Sequence, residues 1–118
     1  MSNHELCKIK GVGIDIVEVG RFRRFSKDIQ HVFLKKVFSE SELIYCFKYK
    51  DPSASLAGIF AAKEASSKAL GVNKFPFITL EIRHDKEGMP QVWKRDKRLQ
   101  VKVSITHTNV IAAAFAVV

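Results

Sequence analysis

The sequence predicts an α+β fold in which an antiparallel sheet packs around one long, mostly buried helix. Three observations carry this. Strand-like alternation occurs once near the N-terminus and does not return until about residue 78. Helical signatures fill the interval. The longest of those helices is apolar or small nearly all round, so it needs cover on most sides. One strand, then helices, then a run of strands is the order of an α+β domain. With 118 residues, 47% of them hydrophobic, residues 1–118 are expected to form a single domain with one modest core.

Each element has its own signal. Lys8 to Val19 reads as a strand, with Val12, Ile14 and Ile16 alternating with Gly13, Asp15 and Val17. Arg21, Arg23, Arg24 and Lys27, interleaved with Phe22 and Phe25, suggest a short amphipathic helix. Ser39 followed by Glu42 fits a capping box that opens a helix running to about Lys50, and Asp51-Pro52 breaks it. Ser53 or Ser55 starts the long helix, which runs to Leu70, and Gly71 suits its C′ position. Ile78, Leu80 and Ile82 alternate with polar residues in a half-buried strand. A turn over Asp85 to Gly88 leads to a return strand from Met89 to Lys94, which Pro90 places near a sheet edge. Val101, Val103 and Ile105 form another alternating strand. Val110 to Val118 is a last strand, although its alanines also permit a helix.

Composition narrows the function classes. The formal charge of +8 implies an anionic partner: nucleic acid, a phosphorylated small molecule, an acidic protein or a membrane surface. No apolar run approaches the roughly 18 residues of a membrane span, and Met1 to Lys10 shows no apolar leader core, so a cytoplasmic protein is expected. Cys7 and Cys46 lie in no CxxC or Cys/His cluster, which argues for free thiols rather than a zinc site.

The long helix carries Lys63, Glu64 and Lys68 among alanines. Charges on a buried helix are costly unless paired or in contact with a ligand. Glu64 and Lys68 stand one turn apart on one face. They are either an exposed ion pair or part of a site with room for a ligand. Asp15 is unusual in a strand, and Gly11 and Gly13 before it let a backbone or a ligand approach closely. It is either a solvated edge residue or a second site carboxylate. If Asp15 and Glu64 converge, two hard oxygen donors suit Mg²⁺, which keeps its other positions for water and phosphate.

Three segments together resemble the acyl-carrier-protein synthase group of the phosphopantetheinyl transferases. They are Gly11 to Phe22 (GVGIDIVEVGRF), Phe60 to Gly71 (FAAKEASSKALG) and Val103 to Thr108 (VSITHT), in family order and at family spacing, so that the resemblance spans essentially the whole chain. The resemblance implies the 4′-phosphopantetheinyl transferase-like fold and transfer of 4′-phosphopantetheine from coenzyme A to a serine of an apo-acyl carrier protein, in support of fatty acid biosynthesis. It implies Asp15 and Glu64 as Mg²⁺ ligands, with Glu64, Lys68 and Asp15 catalytic. Lys63, Ser67, Lys68, Gly71, His107 and Thr108 are implied as coenzyme contacts, and Arg21 and Arg24 as the dock for the acidic carrier protein. It further implies a homotrimer with sites between subunits, acting on neither nucleic acid nor membrane. Three departures touch the coenzyme contacts: Ile59 where family members often carry Arg, Asn109 where many carry an acidic residue, and a short segment from Val72 to Phe77 with Pro76 inside.

Such a reaction needs positioning and charge neutralisation more than covalent chemistry. The proton of the attacking serine would go to Glu64 or to a water held by the metal. Lys63 would reach a second phosphate or snorkel out of the core. His107 shares parity with Val103 and Ile105, so its ring either packs inward or meets the nucleotide. Lys94, Arg95, Lys97 and Arg98 form a second basic cluster on an expected loop, either solvated or near a phosphate. The rival reading is a non-catalytic nucleic-acid-binding domain. It fits the charge but has no recognised binding motif and no use for Asp15 and Glu64.

Overall fold

The computed structural model describes residues 8–72 and 79–118. Cys7, Pro76 and the expected strand residue Ile78 lie outside these. The order is β1 (Val12–Glu18), a 3-10 helix (Val19–Phe25), α1 (Val32–Val37), α2 (Glu40–Cys46), α3 (Ser53–Ala69), β2 (Leu80–His84), β3 (Pro90–Lys94), β4 (Lys97–Arg98), β5 (Lys102–His107) and β6 (Ile111–Val117). Instead of one sheet there are two antiparallel sheets of three strands, ordered β1-β6-β5 and β2-β3-β4. The α+β class holds, with α3 at the centre.

α3 crosses the first sheet at very short range. A Cβ added to Gly11 would overlap the carbonyl oxygen of Ala69, and one added to Gly13 would overlap that of Ala65. At its other end, a Cβ on Gly58 would come within 3.0 Å of the Ile105 side chain on β5. The helix therefore runs obliquely, with its N-terminal half over β5 and its C-terminal half over β1. The opposing strand β6 meets it with Ala112, Ala114 and Ala116, all buried, and the helix answers with Ala57, Ala61, Ala62, Ala65 and Ala69. The alanines of residues 110–118 thus belong to a central strand. Their small size reflects the closeness of the helix, not helical propensity.

That closeness also sets which face of β1 looks inward. Gly13, Asp15 and Val17 turn toward α3, while Val12, Ile14 and Ile16 are 55%, 61% and 65% exposed. Alternation predicts the strand but not its orientation, because the inner side has no room for a side chain at positions 11 and 13, where the α3 backbone lies closest. Val12, Ile14 and Ile16 pair across with Val117, Phe115 and Ala113. The outer face of the sheet is consequently apolar.

A second part of the core is aromatic. Val19, Phe22 and Phe25 recur every three residues, the period of a 3-10 helix, and all three are buried. The expected amphipathic helix is therefore 3-10. Phe22 packs its ring 6.0 Å from Phe38 and 5.6 Å from Phe60. The capping box is present in both halves, Ser39 with Glu42, but α2 ends at Cys46 rather than near Lys50. Helix α1, absent from the sequence reading, precedes it. α3 opens where Asp51 accepts a hydrogen bond from the Ser53 amide at 3.0 Å and closes on Gly71 at φ +72°.

β3 is the middle strand of its sheet, not an edge. Pro90 is tolerated because it is the first strand residue, and β4 pairs only with Trp93 and Lys94 at the other end. The basic cluster from Lys94 to Arg98 is a tight hairpin turned at Arg95, φ 57°.

Gly13→Ala is expected to cost about 3 kcal/mol of stability, because backbone rather than a flexible side chain opposes the new methyl. Gly20→Ala, with nothing within 4 Å of its Cβ, is expected to be near neutral. Urea denaturation of the two variants measures the contrast.

Candidate active site

Three of the singled-out side chains meet at the seam between β1 and the C-terminal half of α3. The Lys68 ammonium donates to the Ile14 carbonyl at 3.0 Å and lies 3.4 Å from an Asp15 carboxylate oxygen. Glu64, one turn before Lys68, is half-buried beside them. Its carboxyl is pushed above the ordinary range, first by desolvation and then by the charge of Asp15, with Lys68 pulling the other way. Asp15 and Glu64 are thus close enough to repel each other, and Lys68 alone does not relieve Glu64. The Lys68 side chain is half exposed and that of Asp15 only 18% exposed, so the group opens outward at the lysine.

The donor set suits a magnesium ion. Two hard carboxylates with excess negative charge gain from a divalent cation. Among the described residues no group of three or more His, Cys, Asp or Glu side chains forms a fuller cage. A cation held by such a pair would keep positions for water and phosphate oxygens, unlike one in the closed ligand set of a structural zinc site.

Lys63 requires a correction. It neither reaches a surface phosphate position nor snorkels: it is 1% exposed, and its ammonium donates to Glu42 at 2.8 Å and to the Val37 carbonyl at 2.8 Å. Glu42 is equally buried and also accepts from the amides of Ile82 at 2.7 Å and Ser39 at 2.9 Å. Burial pushes the Glu42 carboxyl up and the Lys63 ammonium down, against their mutual attraction. The capping motif fully explained Glu42 in the sequence, which hid this second role.

Ser67 donates its hydroxyl to the Lys63 carbonyl at 2.9 Å, one turn back. Gly71 terminates the helix, its amide bonding the Lys68 carbonyl at 3.1 Å. The Thr108 hydroxyl accepts from the amides of Val110 and Ile111 at 3.1 and 3.0 Å, so it builds the β5–β6 turn. His107 is exposed at the end of β5, its ring Nδ1 3.2 Å from the neighbouring Thr108 carbonyl. It does not join the Asp15–Glu64 group: β5 and β1 are opposite edges of the sheet, with β6 between. His107 instead lines a cavity of about 560 Å³ on the far side of α3, with Tyr45, Tyr49, Ser55, Ile59 and His84. Tyr45 and His84 stack there, centroids 4.0 Å apart and planes 5° from parallel. Burial and Tyr49 push the Tyr45 hydroxyl up to about 12, while burial pulls His84 down. The sequence reading missed both rings; the i,i+4 spacing of Tyr45 and Tyr49 was the available signal.

On the 3-10 helix, Arg21 and Arg24 are exposed, each over an aromatic ring: Phe60 at 5.4 Å and Phe25 at 4.8 Å. A shallow groove between them has Phe22, Phe25 and Phe33 in its floor. Arg23 is spent internally, on Asp51 at 3.3 Å and the Asn109 carbonyl at 2.9 Å.

Comparison with known proteins gives a consistent picture. Residues 11–116 match the model of the 4′-phosphopantetheinyl transferase superfamily. The chain is 40% identical over 116 residues to a holo-[acyl-carrier-protein] synthase of Chlamydia trachomatis, covering 91% of this chain and 97% of that protein. It superposes on the holo-(acyl-carrier-protein) synthase of Bacillus anthracis in complex with CoA (3′,5′-ADP) with TM-score 0.77 and 32% identity, covering 92% and 95% of the two chains. The Helicobacter pylori enzyme in complex with coenzyme A gives TM-score 0.75 at 32% identity, covering 89% and 96%.

The raised Glu64 carboxyl has a definite stability signature. The folded state binds this proton more tightly than the unfolded chain, so the contribution is complete below the ordinary carboxylate range and is lost as pH rises through the folded value. In metal-free protein, Glu64→Gln is expected to raise the melting temperature at pH 7 and to change it little at pH 4. Scanning calorimetry at both pH values checks this; a variant less stable at pH 7 would contradict it.

Proposed function

The chain belongs to the 4′-phosphopantetheinyl transferase superfamily, and on that premise we propose that it transfers 4′-phosphopantetheine from coenzyme A to a serine of an apo-acyl carrier protein, releasing adenosine 3′,5′-bisphosphate. The observation that carries this is the meeting of Asp15, Glu64 and Lys68 at one seam, two carboxylates and one lysine. A non-catalytic nucleic-acid-binding domain has no use for that group.

In this reading Asp15 and Glu64 would hold a Mg²⁺ ion. When bound, the ion supplies Lewis-acid neutralisation of phosphate charge. Lys68, half exposed beside the pair, stabilises the charge that gathers on the phosphoryl and leaving oxygens. The serine oxygen forms the new bond to the phosphorus bearing the pantetheine arm, its proton passes to Glu64 or to a water, and the bond from that phosphorus to the bisphosphate breaks. Ser67 and Gly71 flank Lys68 on the phosphate side. His107 and Thr108 serve the nucleotide side, next to the cavity walled by Ile59, Tyr45 and His84. The exposed Arg21 and Arg24 dock the acidic carrier protein, since a guanidinium fork matches carboxylates in two contacts. The product supports fatty acid biosynthesis.

The protein works as a homotrimer whose sites lie between subunits. Two features support this. Metal-site residues and His107 lie on opposite sides of α3, so one chain supplies two half-sites rather than a whole one. The outer sheet face exposes Ile14, Ile16, Ile111 and Phe115, an apolar area suited to burial against neighbouring copies.

The direct test incubates the protein with coenzyme A, Mg²⁺ and an apo-acyl carrier protein and weighs the carrier by mass spectrometry. A gain of one phosphopantetheine is expected, with rates at least about a hundredfold lower for Asp15→Asn and Glu64→Gln. No gain with the unaltered protein would refute the reading. Shared sites are tested by co-expressing Glu64→Gln with His107→Ala, each poorly active alone. Random mixing should restore about a quarter of the intact sites, whereas sites within one chain would restore none.

A further inference from the structure

We infer that the buried Glu42–Lys63 ion pair is a positioning device for Glu64: it fixes the rotation of α3 about its axis, and with it the aim of the carboxylate next to Lys63 in the chain. This rests on the metal reading of Asp15 and Glu64 given above.

The case starts from what holds α3. Five of its eleven buried residues are alanines, and the face they form meets the alanines of β6. Alanine ridges are shallow, so such packing drives burial while leaving rotation and slide weakly specified. A rotation of a helix by 20° sweeps a glutamate tip sideways by about 2 Å, given a helix radius with side chains of about 5–6 Å. That exceeds what a metal ligand tolerates. Something directional must set the angle.

On the β1 side, Gly11 and Gly13 fix how near the helix comes but carry no side chain to grip it, and the Lys68 ammonium that reaches the Ile14 carbonyl is on a half-exposed side chain. The described polar side-chain anchor on the opposite flank is Lys63. Its ammonium is bound at 2.8 Å to Glu42 on α2 and at 2.8 Å to the carbonyl of Val37 at the end of α1, and lies 5.7 Å from the Phe38 ring centre. Glu42 is itself held at both oxygens, by the Ile82 amide of β2 and the Ser39 amide. Two elements thus meet at one ammonium, and a third, β2, holds its carboxylate partner. Consecutive helical residues point about 100° apart, so seating Lys63 in this socket sends Glu64 toward the β1 edge and Lys68 after it. Buried ion pairs add little net stability compared with apolar substitutes, and registry is their best-attested use.

The double variant Glu42→Gln/Lys63→Met removes both buried charges at nearly constant volume. Single variants are less informative, because each strands the other charge. Mn²⁺ serves as the probe ion, its affinity read by electron paramagnetic resonance well below the melting temperature. The double variant is expected to melt close to the unaltered protein, to bind Mn²⁺ at least about tenfold more weakly, and to lose kcat while KM for coenzyme A changes little. A folded double variant with Mn²⁺ affinity and kcat within about twofold of the unaltered protein would overturn the inference. Should the double variant fail to fold, Glu42→Asp decides. It keeps both charges, draws the carboxylate back by one methylene, and must weaken Mn²⁺ binding if the inference is right. Glu64→Gln in parallel separates two failures. If it binds Mn²⁺ normally, the metal reading falls and the inference with it; if it loses Mn²⁺ while the double variant retains it, only the inference falls.

Discussion

The structure depends on one contact: the backbone of β1 lying directly against the backbone of α3, at Gly11 and Gly13 under the carbonyls of Ala69 and Ala65. Side chains on the inner face of β1 would hold the two elements apart. With hydrogens there, the helix settles low, and the rest of the architecture adjusts. The central strand offers alanines, the apolar residues of β1 face outward, and Asp15 is left at the seam, within electrostatic reach of Glu64. A carboxylate in the middle of a strand is unfavourable by propensity. Here it is the residue that the close approach delivers to the helix.

Two acid–base groups sit on the flanks of the same helix, and their difference separates architecture from chemistry. Glu42 and Lys63 are matched one to one, buried, and supplied with backbone partners, so the pair is electrically closed. Asp15, Glu64 and Lys68 are two negative charges with one positive, partly open to solvent, and Glu64 remains unrelieved. The first group is complete without any ligand. The second gains from a cation, and a cation there gains from phosphate. An excess of charge maintained at a packed seam works against stability and is retained where function requires it.

Much of this was legible in the sequence, for reasons that can be located. The capping box at Ser39 and Glu42 and the Gly71 stop are local chemistry, and each stands where it was read, whereas α2 ends at Cys46, before the Asp51-Pro52 break. Asp15, Glu64 and Lys68 were singled out because charges on an alanine-rich helix and an Asp in a strand each break a local rule. What was illegible is tertiary. Alternation cannot say which face of β1 turns inward, and the answer depended on how low α3 sits. Glu42 already had a sufficient local explanation as a cap, so nothing in the chain pointed to Lys63, 21 residues away. Likewise, His107 shares parity with buried neighbours yet is exposed at the end of β5, where it lines the cavity beside α3. The stacked Tyr45 and His84 come from different elements, which no local pattern links.

The most direct measurement is a crystal structure of the protein with Mn²⁺ and coenzyme A, with the ion located by its anomalous scattering. The account requires the ion between the Asp15 and Glu64 carboxylates of one chain, with pyrophosphate oxygens completing its shell and Lys68 beside them. An ion bound elsewhere, or a coenzyme whose pyrophosphate avoids that seam, would contradict it.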